Sequence, residues 1–249
     1  MARVLLRVAT GICVFALIAA VSYATPLSVP NYSFETASLT LDSGDGLFSE
    51  IIPWSTITKP GGTLGSWIYH FTTTGAAAGA FAPELPDSSN WATAWWSGSN
   101  VGYLLLDSPG SVSLTDQLSA TLSNDTTYTL TVDIGRRAFS PNFNYAIELL
   151  AGGHLLGSAS NLALPHSTSG TSGTDTLTFI SGAANPFAGQ ALTIALVSTD
   201  SSSALTEAFF DNVRLDASPS QIPEPGAFGL SGIGLALLFA GRRRAGKRA

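Results

Sequence analysis

The sequence predicts an all-β fold, an antiparallel β-sandwich placed between two terminal segments of different composition. Between residues 25 and 216, apolar side chains alternate with Thr, Ser and other polar residues at a period of two, and almost no stretch repeats its apolar residues at helical spacing. Hydrophobic residues make up 45% of the chain, which argues against disorder. Roughly nine or ten short strands without an amphipathic helix fit two packed antiparallel sheets.

The N-terminal segment has the composition of a secretory signal peptide. Two arginines precede an uncharged apolar stretch over residues 8–21, and small residues then stand at the positions that signal peptidase reads. We therefore expect a signal peptide over residues 1–24, cleaved after Ala24, with an uncleaved anchor as the alternative. The only cysteine, Cys13, lies in this segment, so the mature chain is expected to contain no disulfide.

The body of the chain is predicted to consist of short strands. Apolar residues occupy every second position over residues 128–134, and Asn124-Asp125 supplies the preceding turn. Residues 145–149 alternate next, and Gly152-Gly153 then turns the chain back, which predicts a hairpin. Further strands are predicted at residues 27–36, 66–71, 101–107, 112–118, 176–180, 192–198 and 208–215. Composition predicts loops at residues 44–46, 59–65, 75–90, 98–100 and 166–174.

Charge is distributed unevenly along the chain. Residues 25–220 carry 16 acidic and 4 basic side chains, a formal charge of −12, although the net charge of the whole chain is −6. An acidic body repels phosphate backbones and offers nothing to an anionic membrane surface. We therefore expect no nucleic-acid partner.

The C-terminal segment combines three features after a polar linker at residues 217–221. These are the tripeptide Pro223-Glu224-Pro225, an uncharged apolar stretch over residues 226–241, and a basic cluster over residues 242–248. At ~1.5 Å a residue the stretch makes roughly 24 Å of helix, and arginines that reach the headgroups allow it to span a core of ~30 Å. The basic cluster predicts a single transmembrane helix with residues 25–220 outside the cytoplasmic membrane.

This arrangement resembles the PEP-CTERM sorting tail of exported Gram-negative bacterial proteins, over residues 222–249. The residues that carry the resemblance are Pro223, Glu224, Pro225, Arg242, Arg243 and Arg244. It implies that an exosortase, a membrane-embedded cysteine protease, severs the tail, and an ordinary uncut anchor is the alternative. The expected partners are therefore signal peptidase, exosortase and the inner membrane before processing. The expected destination is the cell surface or the extracellular matrix.

A second resemblance covers most of residues 25–216. The segment Val29 to Glu35 resembles the opening of galactose-binding-like jelly rolls, and the segment Phe210 to Leu215 resembles their closing strand. The resemblance implies a jelly-roll sandwich whose first and last strands pair. It also implies a structural Ca²⁺ with Glu35 and Asp211 as ligands. Asp211 shares strand parity with Val213, so we expect its carboxylate to point toward the core, where it needs a partner. The alternative to calcium is that Asp211 caps backbone amides or pairs with Arg136 or Arg214.

All five tryptophans lie between Trp54 and Trp96. Aromatic faces stack on sugar rings, and neighbouring amides bond their hydroxyl groups. We therefore expect a ligand-binding site that contains Trp91, Trp95, Trp96, Asn90 and Asn100, although tryptophan side chains more often fill a core.

Catalytic motifs are missing from the sequence. The three histidines are isolated, and no zinc-protease, nucleophile-elbow, phosphate-loop or dinucleotide motif occurs. We therefore predict that the protein is not an enzyme; a glycan-active enzyme using Glu84 and Asp87 is the weaker alternative. The expected function is carbohydrate binding or association with exopolysaccharide, and the rival is a structural matrix protein without a small-ligand site.

Overall fold

The chain folds into two antiparallel sheets in the computed structural model, which describes residues 23–35, 63–73, 76–81, 94–138, 140, 142–167, 170–201 and 205–220. The strands are β1 (Thr25–Leu27), β2 (Thr63–Leu64), β3 (Trp67–Phe71), β4 (Ala76–Phe81), β5 (Val101–Leu106), β6 (Gly110–Thr121), β7 (Thr126–Arg136), β8 (Ala146–Ala151), β9 (His154–Ala159), β10 (Thr171–Ile180), β11 (Ala191–Asp200) and β12 (Thr206–Pro219). The prediction of an all-β sandwich is confirmed. Within the described ranges no helix is long and apolar enough to cross a membrane. The predicted signal peptide and C-terminal helix lie outside those ranges.

The two sheets are arranged so that the last strand is central. Sheet A has the order β10-β7-β12-β5-β4, and β1 also pairs with β12; sheet B has the order β2-β3-β6-β11-β8-β9. Thr25 lies opposite Ala217 and Leu27 opposite Leu215, so the first and last strands pair as predicted. The first and last strands of the described domain therefore lie side by side.

The core fills the space between the sheets. Apolar residues at alternate positions of β6, β7, β8, β11 and β12 are buried there, together with Phe34 and Trp67, whose ring centroids are 5.4 Å apart. The Phe34 ring packs directly against the backbone of Gly102, where a Cβ atom would stand 2.6 Å from Phe34 Cζ. This core is that of a protein without disulfides, which depends on apolar burial alone.

A bulge in β12 changes which side chains share a face. The register against β7 shifts between Asp211 and Arg214, and Asn212 has a φ of 49°, in the left-handed region. Phe210 and Val213 both lie in the core as a result. The prediction that Asp211 points toward the core was therefore wrong: counted from Phe210 it lies on the outer face of sheet A.

Three predicted boundaries also differ from the structure. The strand predicted at residues 27–36 ends at Leu27, because residues 30–35 form turns with positive φ angles at Asn31 and Phe34. The loop predicted at residues 75–90 contains β4, whose Ala-rich sequence has little strand propensity. The loop predicted at residues 166–174 overlaps the start of β10.

Candidate functional site

The outer face of sheet A carries a row of aromatic residues across its centre. Phe209 of β12 lies opposite Tyr103 of β5 on one side and Gly135 of β7 on the other. Tyr103 in turn lies opposite Gly79 of β4. We call Tyr103, Phe209 and the neighbouring Trp95 the aromatic row.

The outer rings of this row, those of Tyr103 and Trp95, each pack against a glycine. A Cβ atom at Gly79 would lie 3.1 Å from Tyr103 Cε1, and one at Gly135 would lie 2.1 Å from Trp95 Cζ2. Both rings therefore rest against bare backbone at opposite sides of Phe209. Trp96 meets Trp95 edge to face, with ring centroids 6.0 Å apart.

The row belongs to an apolar cluster that is separate from the main core. Its buried members are Ala77, Val101, Tyr103, Leu105 and Phe209, and partly buried Phe71, Trp95, Trp96 and Leu205 pack against them. An apolar cluster on the outer face of a sheet is not required by the sandwich core. Its inner members are buried, and the partly buried Trp95 and Trp96 form its margin, where an apolar ligand can contact it.

Two carboxyl groups flank the row on the same strand. Glu207 and Asp211 stand two residues before and two residues after Phe209, so all three side chains leave the same face of β12. Glu207 is 1% exposed and Asp211 is 0% exposed. Buried carboxyl groups beside an apolar surface are unusual and carry a desolvation cost, which makes them candidates for function.

Glu207 is held by an arginine. Arg137 Nη2 donates to Glu207 Oε1 at 2.9 Å, and the arginine side chain is itself 14% exposed. Burial raises the pKa of Glu207, and the positive charge of Arg137 opposes that shift. The pair closes one end of the aromatic row.

Asp211 stands at the other end among carboxylates. Its Oδ2 accepts a hydrogen bond from the backbone N–H of Ser97, whereas its Oδ1 is buried without a hydrogen-bond partner among the described residues. Burial raises the pKa of Asp211 to about 7, and the charges of Asp133 and Glu35 add to the shift. Asp211 lies directly opposite Asp133 on β7.

Glu35 joins this end through the loop before β5. Its Oε1 accepts hydrogen bonds from the backbone N–H groups of Ser99, at 2.9 Å, and Asn100, at 2.7 Å. Gly98, with a φ of +76°, makes room for the carboxylate, because a Cβ atom there would lie 2.6 Å from Glu35 Oε1. The side-chain amide of Asn100 donates to the carbonyl of Phe34 at 3.1 Å.

These contacts bear on the expected calcium site. Backbone N–H groups already occupy one oxygen of Glu35 and one of Asp211, which corresponds to the capping alternative. The orphaned Oδ1 of Asp211 is an oxygen that a cation would satisfy, but calcium takes about 6–8 oxygens. Within the described ranges no three His, Cys, Asp or Glu side chains are grouped so as to hold a metal ion. Calcium at Glu35 and Asp211 therefore stays a prediction.

The structure brings together part of the predicted ligand site. Trp95 and Trp96 lie at the aromatic row. Asn100 is 3% exposed, and its side-chain amide donates to the carbonyl of Phe34. Trp91 and Asn90 lie outside the described residues, as do Glu84 and Asp87. The sequence analysis did not identify Tyr103, Phe209, Glu207 and Arg137 as a site, because only the register of β5, β7 and β12 brings them together. The spacing of Glu207, Phe209 and Asp211 on one strand was the available signal.

Residues 25–216 match the HpiC1-like family, described as HpiC1 cyclase. The chain belongs to the HpiC1-like cyclase family. Residues 221–244 match the PEP-CTERM protein-sorting motif. No match is found among curated proteins.

Solved structures of cyclases resemble the domain. A Stig cyclase, Fisc from Fischerella sp. TAU, in complex with (3Z)-3-(1-methyl-2-pyrrolidinylidene)-3H-indole is 28% identical, with 80% of this chain and 100% of that chain covered and a TM-score of 0.62. A cyclase from the same source in complex with 4-(1H-indol-3-yl)butan-2-one is 29% identical over the same shares, with a TM-score of 0.61. A carbohydrate-binding module bound to β-1,4-galactotriose is 12% identical, covers 77% of this chain and 98% of that chain, and has a TM-score of 0.39.

Membership of this family corrects one prediction. The expectation that the protein is not an enzyme was wrong, because the family and its similar solved structures are cyclases. The known sequence motifs that are missing here identify nucleophiles, metal ligands and phosphate-binding loops. Carboxyl groups placed at alternate positions of one strand leave no such motif.

The sorting tail is confirmed by the match at residues 221–244. The protein is therefore exported, anchored in the membrane before sorting, and processed by exosortase. Its passenger is a β-sandwich similar to jelly-roll cyclases.

Proposed function

We propose that this protein is a surface-sorted cyclase that binds a neutral or cationic aromatic molecule of the indole type on the aromatic row and closes a ring in it by proton transfer. One observation carries the proposal: Glu207, Phe209 and Asp211 present carboxyl, ring and carboxyl from one face of β12, with Tyr103 and Trp95 beside them. The match to the HpiC1-like family supports it, as do the similar solved structures that are named cyclases and hold indole compounds.

The proposed step conserves every atom of the substrate. A proton passes from one flanking carboxyl group to an unsaturated atom of the ligand, and the electron pair of a second double bond in the same ligand forms the new C–C bond. The cation so formed then loses a proton to the carboxylate that the first step left, which restores that carboxyl group and the enzyme. Substrate and product are isomers, so the step needs no oxidant, reductant or second substrate.

The surroundings of the row favour this use of the carboxyl groups. Burial raises the pKa of Asp211 to about 7, so its protonated form is populated near neutral pH; burial also raises the pKa of Glu207, and the charge of Arg137 opposes that shift. Aromatic faces stabilise a positive charge that develops in the ligand, and apolar neighbours such as Val101 and Leu105 exclude water.

The charges around the row define the ligand class. Asp133, Asp211 and Glu35 lie at one end, and Glu207 lies at the other with Arg137 already bound to it. Arg214 Nη2 lies 3.9 Å from Asp133 Oδ1. An anionic ligand would face uncompensated carboxylates, whereas a neutral or cationic one would not.

Binding of an indole probe tests the site. We expect the full-length protein to bind 4-(1H-indol-3-yl)butan-2-one in isothermal titration, and Phe209→Leu or Tyr103→Leu to weaken binding at least tenfold. Phe187→Leu is the matched control, because Phe187 stacks on His154 away from the row. Equal affinities in all three variants, or no binding to the unmodified protein, would overturn the proposal.

Catalysis is tested with an indole that carries an alkenyl side chain. Ring closure leaves the mass unchanged and removes one C=C bond, which NMR spectroscopy detects. We expect Glu207→Gln and Asp211→Asn each to slow the reaction by about 10²-fold or more, the usual contribution of a proton-transferring group. Retention of full turnover in both variants would remove the carboxyl groups from the mechanism.

Carbohydrate is the alternative ligand on the same surface. Trp95 and Trp96 are only partly buried, and exposed tryptophan faces stack on sugars. A sugar ligand predicts retardation of the full-length protein in affinity electrophoresis through a polysaccharide gel, with loss of retardation in Trp96→Ala. Under this proposal the cell surface or its exopolysaccharide is where the sorted domain acts.

A further inference from the structure

One end of the sandwich, among the described residues, brings together three connections that contain few charged residues. It is formed by the β6–β7 turn at residues 122–125, the β8–β9 turn at residues 152–153 and the β10–β11 loop at residues 181–190, and we call it the exit end. Hydrogen bonds tie these segments together: Asp125 donates its N–H to Gly182 O at 2.8 Å, and Gly189 donates to Leu122 O at 2.8 Å.

The exit end is nearly free of charge in a strongly acidic domain. The loop at residues 181–190 contains no acidic or basic residue, whereas residues 25–220 carry 16 acidic side chains. Ala183, Ala184, Pro186 and Ala188 of this loop are exposed, and Ile180 just before it is 62% exposed. Asp125 is the one acidic residue in the three segments of the exit end.

The chain leaves the fold at this same end. The backbone N–H of Ser220 donates to Asp125 O at 2.7 Å, so the last described residue is still fixed to the exit end. The sorting motif match begins one residue later, at residue 221. From Ser220 to the apolar stretch that starts at residue 226, the chain reaches at most about 20 Å. The anchored domain is thus held within that distance of the bilayer, with the exit end nearest.

We infer that the exit end is a membrane-contact surface, and that the headgroup layer of the bilayer covers the loop at residues 181–190 while the tail is still attached. The inference does not depend on the proposed chemistry. An uncharged loop with small apolar side chains enters a zwitterionic headgroup layer without the repulsion and desolvation that carboxylates would meet.

This orientation directs the aromatic row away from the membrane. Phe209 lies ten residues before Pro219 on β12, which is about 33 Å at roughly 3.3 Å a residue. The substrate would then reach the site from the aqueous side even before sorting.

Lipid-quenching fluorescence tests the contact. The full-length protein with Cys13→Ser offers a background without cysteine, and Ala184→Cys or Ala188→Cys places a fluorophore on the loop. Ser160→Cys and Ser172→Cys are matched controls, since both are exposed serines at the opposite end of the sandwich. In phosphatidylcholine vesicles with nitroxide-labelled headgroups, we expect at least threefold stronger quenching at the two loop positions than at the controls.

A second variant separates contact from mere nearness. Adding Ala183→Glu to the Ala184→Cys protein places a carboxylate in the loop without altering the tail, and we expect it to reduce quenching by half or more. Equal quenching at loop and control positions, no quenching at any position, or quenching that is indifferent to the added charge would each overturn the inference.

Discussion

Gly135 is the residue on which the geometry of the aromatic row depends most directly. A Cβ atom there would stand 2.1 Å from Trp95 Cζ2, a distance that no side-chain adjustment of a few tenths of an ångström relieves. We expect Gly135→Ala to displace the Trp95 ring, to weaken binding of the indole probe at least tenfold, and to cost about 1–3 kcal/mol in the free energy of unfolding.

The control for this substitution is Gly157→Ala on β9. Its Cβ atom would meet the flexible end of Leu177 at 3.1 Å, away from the row. Isothermal titration and denaturant unfolding measure both variants. Tight binding by Gly135→Ala would mean that Trp95 does not contribute to the ligand surface.

Asp116 gives the stability of the protein a dependence on pH. It is 1% exposed among apolar neighbours on the inner face of β6, and burial raises its pKa to about 6 from an ordinary 3.8, with Ser66 opposing the shift. When the pKa of a carboxyl group is higher in the folded state than in the unfolded state, protonation of that group stabilises the fold. This stabilisation is complete at pH values below the unfolded-state pKa, and it is lost as the pH rises through the folded-state pKa.

We therefore expect the free energy of unfolding to fall between about pH 4 and pH 7, with at most about 3 kcal/mol of the fall due to Asp116. Urea unfolding at several pH values measures the fall. Asp116→Asn is expected to flatten the curve in this range. An identical curve in the variant would show that Asp116 is ionised in the fold at little cost.

Among the strands, β12 carries the most information that the sequence alone did not reveal. Its existence and its pairing with β1 were predictable from the alternation and the resemblance, but the bulge at Asn212 was not. Strand parity counted through that residue assigned Asp211 to the wrong face. The signal was weak because asparagine is one of the few residues that adopt a positive φ without a distinctive pattern.

Asn212 also allows the bulge to be tested. Its φ is 49°, and its side-chain amide donates to Asp133 Oδ2 at 2.8 Å. We expect Asn212→Val to destabilise the protein by about 1–3 kcal/mol, because a β-branched residue is strained in this region. Asn212→Gly keeps the backbone conformation and loses only the side-chain bond, so it is expected to cost about 1 kcal/mol or less.

Denaturant midpoints and slopes distinguish the two variants. Equal stabilities would indicate that β12 can adopt a regular register without the bulge. In that event the outward position of Asp211 would not depend on Asn212.

The composition of β4 prevented its prediction as a strand. A strand of Ala and Gly with a single Phe shows no alternation of apolar and polar residues, so a period-two pattern is invisible. The Tyr103 ring that lies over Gly79 explains the glycine at that position. Strand β7, with Thr and apolar residues in strict alternation, was predictable almost to its ends.

At the scale of the whole molecule, calcium removal tests the remaining metal prediction. If Glu35 and Asp211 bind Ca²⁺, free ion at a hundredfold excess over its dissociation constant stabilises the fold by about 2.7 kcal/mol. We expect a chelator to lower the melting temperature of the full-length protein and Asp211→Asn to abolish that response. An unchanged melting temperature would reject the site and leave both carboxylates to their backbone donors.

The candidate site as a whole was beyond prediction for a topological reason. Its parts come from β5, β7, β12 and the segment before β5, and the order β7-β12-β5 that brings them together joins strands distant in sequence. The clustered tryptophans drew attention to Trp95 and Trp96, which lie at the aromatic row, and their contact with a ligand stays a prediction. The absence of known catalytic motifs wrongly excluded an enzyme.

The central place of the last strand in sheet A has a consequence for biogenesis. Strand β12 is the final part of the domain to leave the ribosome, yet it fills the gap between β7 and β5 and supplies Glu207, Phe209 and Asp211. Until β12 has been translated, sheet A lacks its central strand, and no partial product contains the complete candidate site. Under the proposed function, a chain becomes able to react only when its synthesis has reached the sorting signal.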